Sequence, residues 1–143
     1  MKDHLNQILA EKELKEQMFK DRIYGVNISI ELENGVYGFD TMSATGKTRL
    51  CKLLRELEAS KGEVIGYTFN DKKLGIDLRN QVAKLNPKVI MLDRLDMYPE
   101  EFMQDIQEWG KNAIVLLDYK GSADFHEDWC DIEMTADSIL VDQ

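Results

Sequence analysis

The sequence has few cysteines, no long apolar run and no excess of positive charge, and each absence excludes a class of protein. Its 143 residues include two cysteines, Cys51 and Cys130, which are too few for a disulfide scaffold and suit a core role in a reduced chain. No apolar run is long enough for a signal peptide or a membrane-spanning helix. Lysine and arginine number 18 against 27 aspartates and glutamates, so the formal net charge is -9. We therefore expect a cytoplasmic protein with no membrane segment and no general affinity for nucleic acids.

Linker-like composition is also missing. Two prolines and nine glycines are present, and no repeat, low-complexity segment or Pro/Gly/Ser-rich stretch divides the chain. The length and the apolar content of 43% suit one globular domain. Apolar residues recur at near-helical spacing over residues 3–20, so we assign residues 1–22 to an N-terminal amphipathic helix and residues 23–143 to the domain. The helix is a candidate contact for a protein partner.

Apolar patterns predict alternating strands and helices in the domain. Residues 24–32 alternate between apolar and polar side chains, and with Asn34-Gly35 and the apolar segment 36–39 they predict a β-hairpin. Leucines at helical spacing predict a helix that ends near Lys61-Gly62. Further strands are predicted at 64–69, 89–92 and 113–117, further helices after Asp77 and from Pro99, and either two short strands or one strand after a turn at 131–141.

The order of these elements predicts an α/β domain of three layers. Continuously apolar strands that alternate with helices form a mostly parallel sheet with helices on both faces. The predicted fold class is therefore a three-layer α/β/α domain with a mostly parallel sheet, an N-terminal helix and a β-hairpin. Ligands of such sheets bind beyond the carboxyl ends of the strands, where the loop after Phe39 lies.

The loop between Phe39 and the leucine-rich helix carries the groups that a phosphate chain needs. It reads Thr41-Met-Ser-Ala-Thr-Gly46-Lys47-Thr48, with Thr41 at a position that usually holds glycine. Gly46 permits close approach of the backbone, Lys47 supplies positive charge, Thr48 offers a hydroxyl to Mg²⁺, and the helix N-terminus attracts anions. A chance Gly-Lys-Thr is the alternative, but the flanking strand and helix favour phosphate binding. The predicted nucleotide-binding residues here are Ser43, Ala44, Thr45, Gly46, Lys47, Thr48 and Arg49.

A second part of the site is predicted where the strand 89–92 ends. Asp93 follows this apolar strand directly, and an acidic residue in that place holds Mg²⁺ in phosphate-binding proteins of this class. The predicted metal ligands are thus Thr48 and Asp93. The predicted ligands of the protein are a nucleoside triphosphate and Mg²⁺.

Four segments after Tyr24 follow the pattern of a known family. They are Val26 to Leu50, Val64-Ile-Gly-Tyr-Thr-Phe-Asn70-Asp71, Asn86-Pro-Lys-Val-Ile-Met-Leu-Asp93 and Thr135-Ala-Asp-Ser-Ile-Leu-Val141. In these segments the chain resembles a shortened ATP-binding-cassette (ABC-type) ATPase domain, of the P-loop NTPase (nucleoside triphosphatase) division with an additional strand. The resemblance implies ATP as the nucleotide, and it places Asn70 where the family has a glutamine that touches magnesium and the attacking water.

The chain departs from this family at the positions that hydrolyse ATP. Arg94 stands where the family has a glutamate that polarises water, and arginine cannot act as a general base at neutral pH. Asp118-Tyr119-Lys120 replaces the switch histidine, and residues 70–86 leave no room for the helical subdomain or its Ser-Gly-Gly signature. Asp96 and Asp118 are the candidate catalytic residues, as positioners of water.

These observations predict an ATP-binding protein with magnesium-dependent binding and weak or partner-dependent hydrolysis. The first alternative is a small-molecule kinase, although none of the five arginines lies after Arg94 to form a lid over an acceptor. The second alternative is a non-hydrolysing interaction module that keeps the fold and uses the N-terminal helix as its contact.

Overall fold

The computed structural model describes residues 19–39, 44–95, 102–119 and 128–143, of which Ala44 and Thr45 are described by their backbone alone. The predicted N-terminal helix, Ser43 and Asp96 lie outside these ranges, but Phe19 and Lys20 belong to a strand, so the predicted extension of that helix to residue 20 is wrong. The strands are β1 (Phe19–Ile23), β2 (Val26–Ile30), β3 (Gly35–Phe39), β4 (Val64–Tyr67), β5 (Val89–Leu92), β6 (Ile114–Leu117), β7 (Asp128–Met134) and β8 (Ser138–Asp142). The helices are α1 (Ala44–Lys61), α2 (Phe69–Lys73), α3 (Leu78–Leu85) and α4 (Met103–Trp109).

All eight strands form one mixed sheet in the order β1-β2-β8-β7-β3-β6-β5-β4. The strands β7, β3, β6, β5 and β4 pair in parallel. Antiparallel pairs join β1 to β2 and β7 to β8, and a parallel pair joins β2 to β8. The predicted three-layer α/β/α P-loop fold with a mostly parallel sheet is therefore wrong, because half of this sheet is a partly antiparallel extension built from both ends of the described chain.

The extended sheet curls around α1. Eight strands laid flat would span about 34 Å, whereas a helix with its side chains is about 10–12 Å wide. Yet α1 reaches both outermost strands: Lys61 Nζ lies 2.9 Å from Asp21 Oδ1 of β1, and Gly66 of β4 lies directly beneath Cys51. One apolar cluster joins α1 to buried residues of all eight strands. The sheet thus forms a half-barrel with α1 in its hollow.

The β-hairpin lies earlier in the chain than the sequence predicts. It consists of β1 and β2, and its turn is Tyr24-Gly25, with φ of 51° and 75°, as a type I′ turn requires. The predicted hairpin around Asn34-Gly35 is wrong, because β2 pairs with β1 and β8 while β3 pairs with β6 and β7.

Most local predictions for the parallel half are confirmed, but the predicted strand 64–69 ends at Tyr67, because Thr68 caps the helix α2 that begins at Phe69. Helix α1 ends at Lys61, β5 has its predicted limits, and Asp77 caps α3 by accepting from the backbone N–H groups of Arg79 and Asn80. The strands β4, β5 and β6 are buried on both faces, with α1 on the concave face and α3 and α4 on the other. Cys51 and Cys130 are buried free thiols, as predicted for core residues.

Strand β4 borders the sheet and approaches α1 closely. A Cβ atom on Gly66 would lie 2.7 Å from the carbonyl oxygen of Cys51, so only glycine fits beneath the helix. The backbone N–H of Gly66 donates to Glu58 Oε1 of α1 at 3.3 Å, and Gln81 of α3 donates to the other carboxylate oxygen. Among the described helices, none is long and apolar enough to cross a membrane.

Candidate active site

The predicted phosphate-binding residues lie in the first turn of α1, beyond the carboxyl end of β3. Helix α1 begins at Ala44, so Gly46, Lys47 and Thr48 follow at once. The N-terminal turn of a helix presents backbone N–H groups without helical partners and carries a partial positive charge. Gly46 is packed against β7, because a Cβ atom there would lie 2.8 Å from Met134 Cε. The turn therefore packs against β7.

Lys47 is buried and carries the positive charge of the site. Its ammonium Nζ lies 3.2 Å from Asp118 Oδ1 and 5.9 Å from the centre of the Phe39 ring. Both partners of the ion pair are nearly inaccessible, with 6% of Lys47 and 4% of Asp118 exposed. Separating the two groups would leave buried charges without a partner, which is costly. Asp118 therefore holds the Lys47 ammonium group in a fixed place.

Asp93 and Asp118 lie side by side because β5 and β6 are neighbours. The backbone N–H of Asp118 donates to Leu92 O at 2.9 Å, which places the residues after both strands at one level. Burial, a hydrogen bond with Asp118 and the negative charge of that residue raise the pKa of Asp93 to about 6, while Arg94 and Lys47 lower it. Two adjacent carboxyl groups favour either a shared proton or a bound cation.

The oxygen atoms at this edge are of the type that Mg²⁺ prefers. Thr48 and Asp93 line the same open cleft, which has a volume of about 530 Å³. In the described part of the chain, no group of three or more histidines, cysteines or acids gathers around one point. Magnesium commonly takes one or two carboxylates and completes its shell with waters and phosphate oxygens. The pair Thr48 and Asp93 fits that partial role.

Two other predicted site residues, Arg49 and Asn70, do not line this cleft. Arg49 donates through Nη1 and Nη2 to the carbonyl oxygens of Thr135 and Ala136 at 3.2 and 3.1 Å, so it ties α1 to the β7–β8 turn. Asn70 lies exposed in the first turn of α2, where its carbonyl oxygen accepts from Leu74 N–H. Asp118, predicted to position water, is the partner of Lys47. Arg94 is exposed, with φ of 55°.

The sequence interpretation missed a polar cluster at the start of α2. Thr68 and Asp71 form a reciprocal capping box, and Arg55 of α1 donates to Asp71 Oδ2 at 3.0 Å. Asp71 is 3% exposed. The spacing of a threonine and an acid three residues later is a known helix-start signal, and it was the one clue available. The pairing of Arg55 with Asp71 depends on the contact between α1 and α2, which no local sequence pattern indicates.

The chain was also compared with known proteins. No protein-family model, curated protein or solved structure matches it.

Proposed function

We propose that the chain binds a nucleoside triphosphate, with ATP as the expected nucleotide, together with Mg²⁺ at the first turn of α1. One arrangement carries the proposal: Lys47 and Thr48 in that turn face Asp93 and Asp118 at the ends of two neighbouring strands. The turn offers N–H groups and positive charge to phosphates, and the aspartate offers oxygen to the metal. The proposal concerns this local site and does not require a P-loop fold.

In this proposal Lys47 keeps Asp118 as a partner and gains phosphate oxygens when the nucleotide arrives. Asp118 neutralises the ammonium group in the protein alone, at 3.2 Å, and phosphate oxygens take up one or more of its three donors in the complex. Asp93 and the Thr48 hydroxyl would hold Mg²⁺, which would supply positive charge to neutralise the phosphates. The remaining carboxylate, Asp118, keeps Lys47 in place.

Slow hydrolysis follows from the charges around the site. Arg94 follows Asp93 and is exposed, and a guanidinium accepts no proton from water at neutral pH. Asp118 is engaged with Lys47, so an attacking water finds no dedicated base among these residues. We therefore propose binding with weak or partner-dependent ATP hydrolysis.

Calorimetric titration with ATP, with and without Mg²⁺, tests the proposal. We expect binding that Mg²⁺ strengthens, together with slow release of phosphate in the same samples. The variant Lys47→Met should weaken binding about 30- to 150-fold, which corresponds to the loss of charge-assisted hydrogen bonds worth about 2–3 kcal/mol. Absence of ATP binding by the native chain in the presence of Mg²⁺ would overturn the proposal.

Matched variants separate binding from folding. Lys47→Met alone leaves Asp118 as a buried unpaired charge, which costs about 3–5 kcal/mol of stability. The decisive comparison is therefore Asp118→Asn against the double variant Lys47→Met/Asp118→Asn, which share the neutral residue at 118. We expect the first to bind ATP and the second to lose it. Lys61→Met, which removes an ion pair at the other end of α1, should bind as the native chain does.

A further inference from the structure

The cleft beside the proposed metal site extends along α1 well past the phosphate-binding turn. Thr48, Lys52, Arg55 and Glu56 follow one another on the face of the helix that lines it. Because a helix rises 1.5 Å per residue, about 10 Å separate Thr48 from Arg55. The volume of about 530 Å³ lies within the range of small-molecule sites. The cleft therefore has room for a group other than the phosphates at the helix terminus.

Arg55 is held in this cleft by a buried acid behind it. Its Nη1 donates to Asp71 Oδ2 at 3.0 Å and to Thr68 Oγ1 at 3.3 Å. Asp71 is itself fixed, since Oδ2 also accepts from the backbone N–H and the hydroxyl of Thr68 at 2.8 and 3.1 Å. The guanidinium is thus oriented from one side only, and 42% of the Arg55 side chain is exposed.

The outward donors of Arg55 suit an anion. In the residues that the structure describes, Nε and Nη2 of Arg55 make no hydrogen bond within the protein. These two N–H groups form a fork that matches the two oxygens of a carboxylate or a phosphate. Lys52, one turn earlier on the same face, adds a second positive charge to the cleft.

We propose that this cleft binds a small organic anion, a carboxylate or a phosphate monoester, with its charged group on Arg55 and Lys52. Glu56 lines the same cleft and accepts from the Tyr24 hydroxyl at 3.1 Å, so the ligand's other end carries hydroxyl or amino donors rather than a second anion. Asp93 and Thr48 border the cleft on the metal side. If the proposed nucleotide site is correct, this anion lies next to the terminal phosphate, and that placement alone rests on the proposed function.

Titration of the native 143-residue chain by NMR, without nucleotide or magnesium, tests the anion site directly. The probes are inorganic phosphate and lactate, a monocarboxylate with one hydroxyl, which distinguish phosphate from carboxylate recognition, and sodium chloride at equal ionic strength is the reference. The readout is the side-chain Nε–Hε signal of Arg55. Arg79 is the internal control, because it is also half-exposed and paired with a carboxylate, Asp105, at 2.8 Å, but lies outside the cleft.

We expect the Arg55 signal to shift and saturate with a midpoint of about 1 mM or lower for at least one probe, while the Arg79 signal moves only as it does in sodium chloride. Lys52→Gln should weaken binding about tenfold or more in the same titration. Arg55→Gln removes the reporter signal, so its loss of binding is measured by calorimetric titration with the same probes. Shifts of Arg55 that are linear, or that parallel those of Arg79, would overturn the inference.

Two variants keep this inference separate from the proposed nucleotide site. The double variant Lys47→Met/Asp118→Asn should lose ATP and retain the saturable shift of Arg55. Arg55→Gln should lose the anion and retain Mg²⁺-dependent ATP binding. A native chain that binds the anion but no ATP leaves this inference standing and removes the proposed function, whereas the opposite result removes the anion site alone.

Discussion

At the level of single residues, three charges near the ends of β5 and β6 determine how the site behaves. Lys47 and Asp118 neutralise each other at 3.2 Å, which leaves the charge of Asp93 to be accommodated by its surroundings. Burial and the adjacent Asp118 raise its pKa to about 6, from the ordinary value of 3.8. The folded chain therefore holds the proton of Asp93 more tightly than the unfolded chain does, and this residue reduces stability once it ionises.

The variant Asp93→Asn tests this balance. The folded-state pKa exceeds the unfolded value, so the contribution of Asp93 to the free energy of unfolding falls as pH rises from about 4 to about 6, and stays low above that range. The two pKa values correspond to at most about 3 kcal/mol, and partial exposure reduces the effect to about 1–2 kcal/mol. We expect Asp93→Asn to be more stable than the native chain at pH 8 by that amount, and nearly equal to it at pH 4.

Urea denaturation of both proteins at the two pH values measures the difference. The native-minus-variant comparison cancels the other carboxylates, which titrate in both chains. An equal difference at pH 4 and pH 8 would contradict the assigned pKa. The same variant should also lose the strengthening of ATP binding by Mg²⁺.

The sequence could identify the individual site residues but not their mutual contacts. Lys47, Thr48 and Asp93 stand in short local patterns, and such patterns require only neighbours in the chain. The ion pair of Lys47 with Asp118 requires β3 and β6 to be adjacent, which no local pattern states. Arg55 was overlooked for the same reason, because its orientation depends on Asp71 across a helix–helix contact.

At the level of elements, predictions succeeded where one segment decides its own structure. Helix α1 and the strands β4, β5 and β6 were found from periodicity and from continuous burial. The hairpin failed because Asn34-Gly35 is a strong turn signal, whereas the actual turn uses Tyr24, a residue rarely found with positive φ. Strands compete for partners across the whole sheet. Because the two strands beside Asn34-Gly35 pair with other strands, this turn signal does not produce a hairpin.

Contact between α1 and β4 provides a test at this level. Gly66→Ala would place its Cβ atom 2.7 Å from Cys51 O and 3.1 Å from Arg55 N, which are backbone atoms of the helix. Because backbone cannot rotate away, α1 must move off the sheet, at a cost of about 1–3 kcal/mol in stability. We also expect weaker ATP binding, since Thr48 and Asp93 would separate. Thermal denaturation and calorimetry measure both effects, and native stability in the Gly66→Ala variant would contradict the close approach.

At the level of the whole molecule, the parallel and antiparallel halves share one core. Residues of α1 contact apolar side chains from β1 and β2 at one side and from β5 and β6 at the other. The wrong fold class followed from counting elements along the chain, because the position of β8 between β2 and β7 joins segments that lie far apart in sequence. Curvature of the sheet likewise has no signal in a single segment.

A shared core predicts one cooperative unfolding transition. The two tryptophans report on different halves, because Trp109 is the last residue of α4 on the convex face and Trp129 lies on β7. We expect the single-tryptophan variants Trp109→Phe and Trp129→Phe to unfold with matching changes in their fluorescence and in circular dichroism, each at one urea midpoint. Two separate midpoints within one variant would show that the halves unfold independently.

An apolar strand at the border of a sheet invites another molecule to pair with it. In β4, the N–H of Gly66 is already taken by the carboxylate of Glu58, which Gln81 holds from the other side. An approaching strand would have to break that bond and dehydrate the acid beside it. When two copies of the chain meet, β4 therefore resists pairing with a strand of the other copy. A continuous sheet that extends across several molecules is disfavoured at this strand.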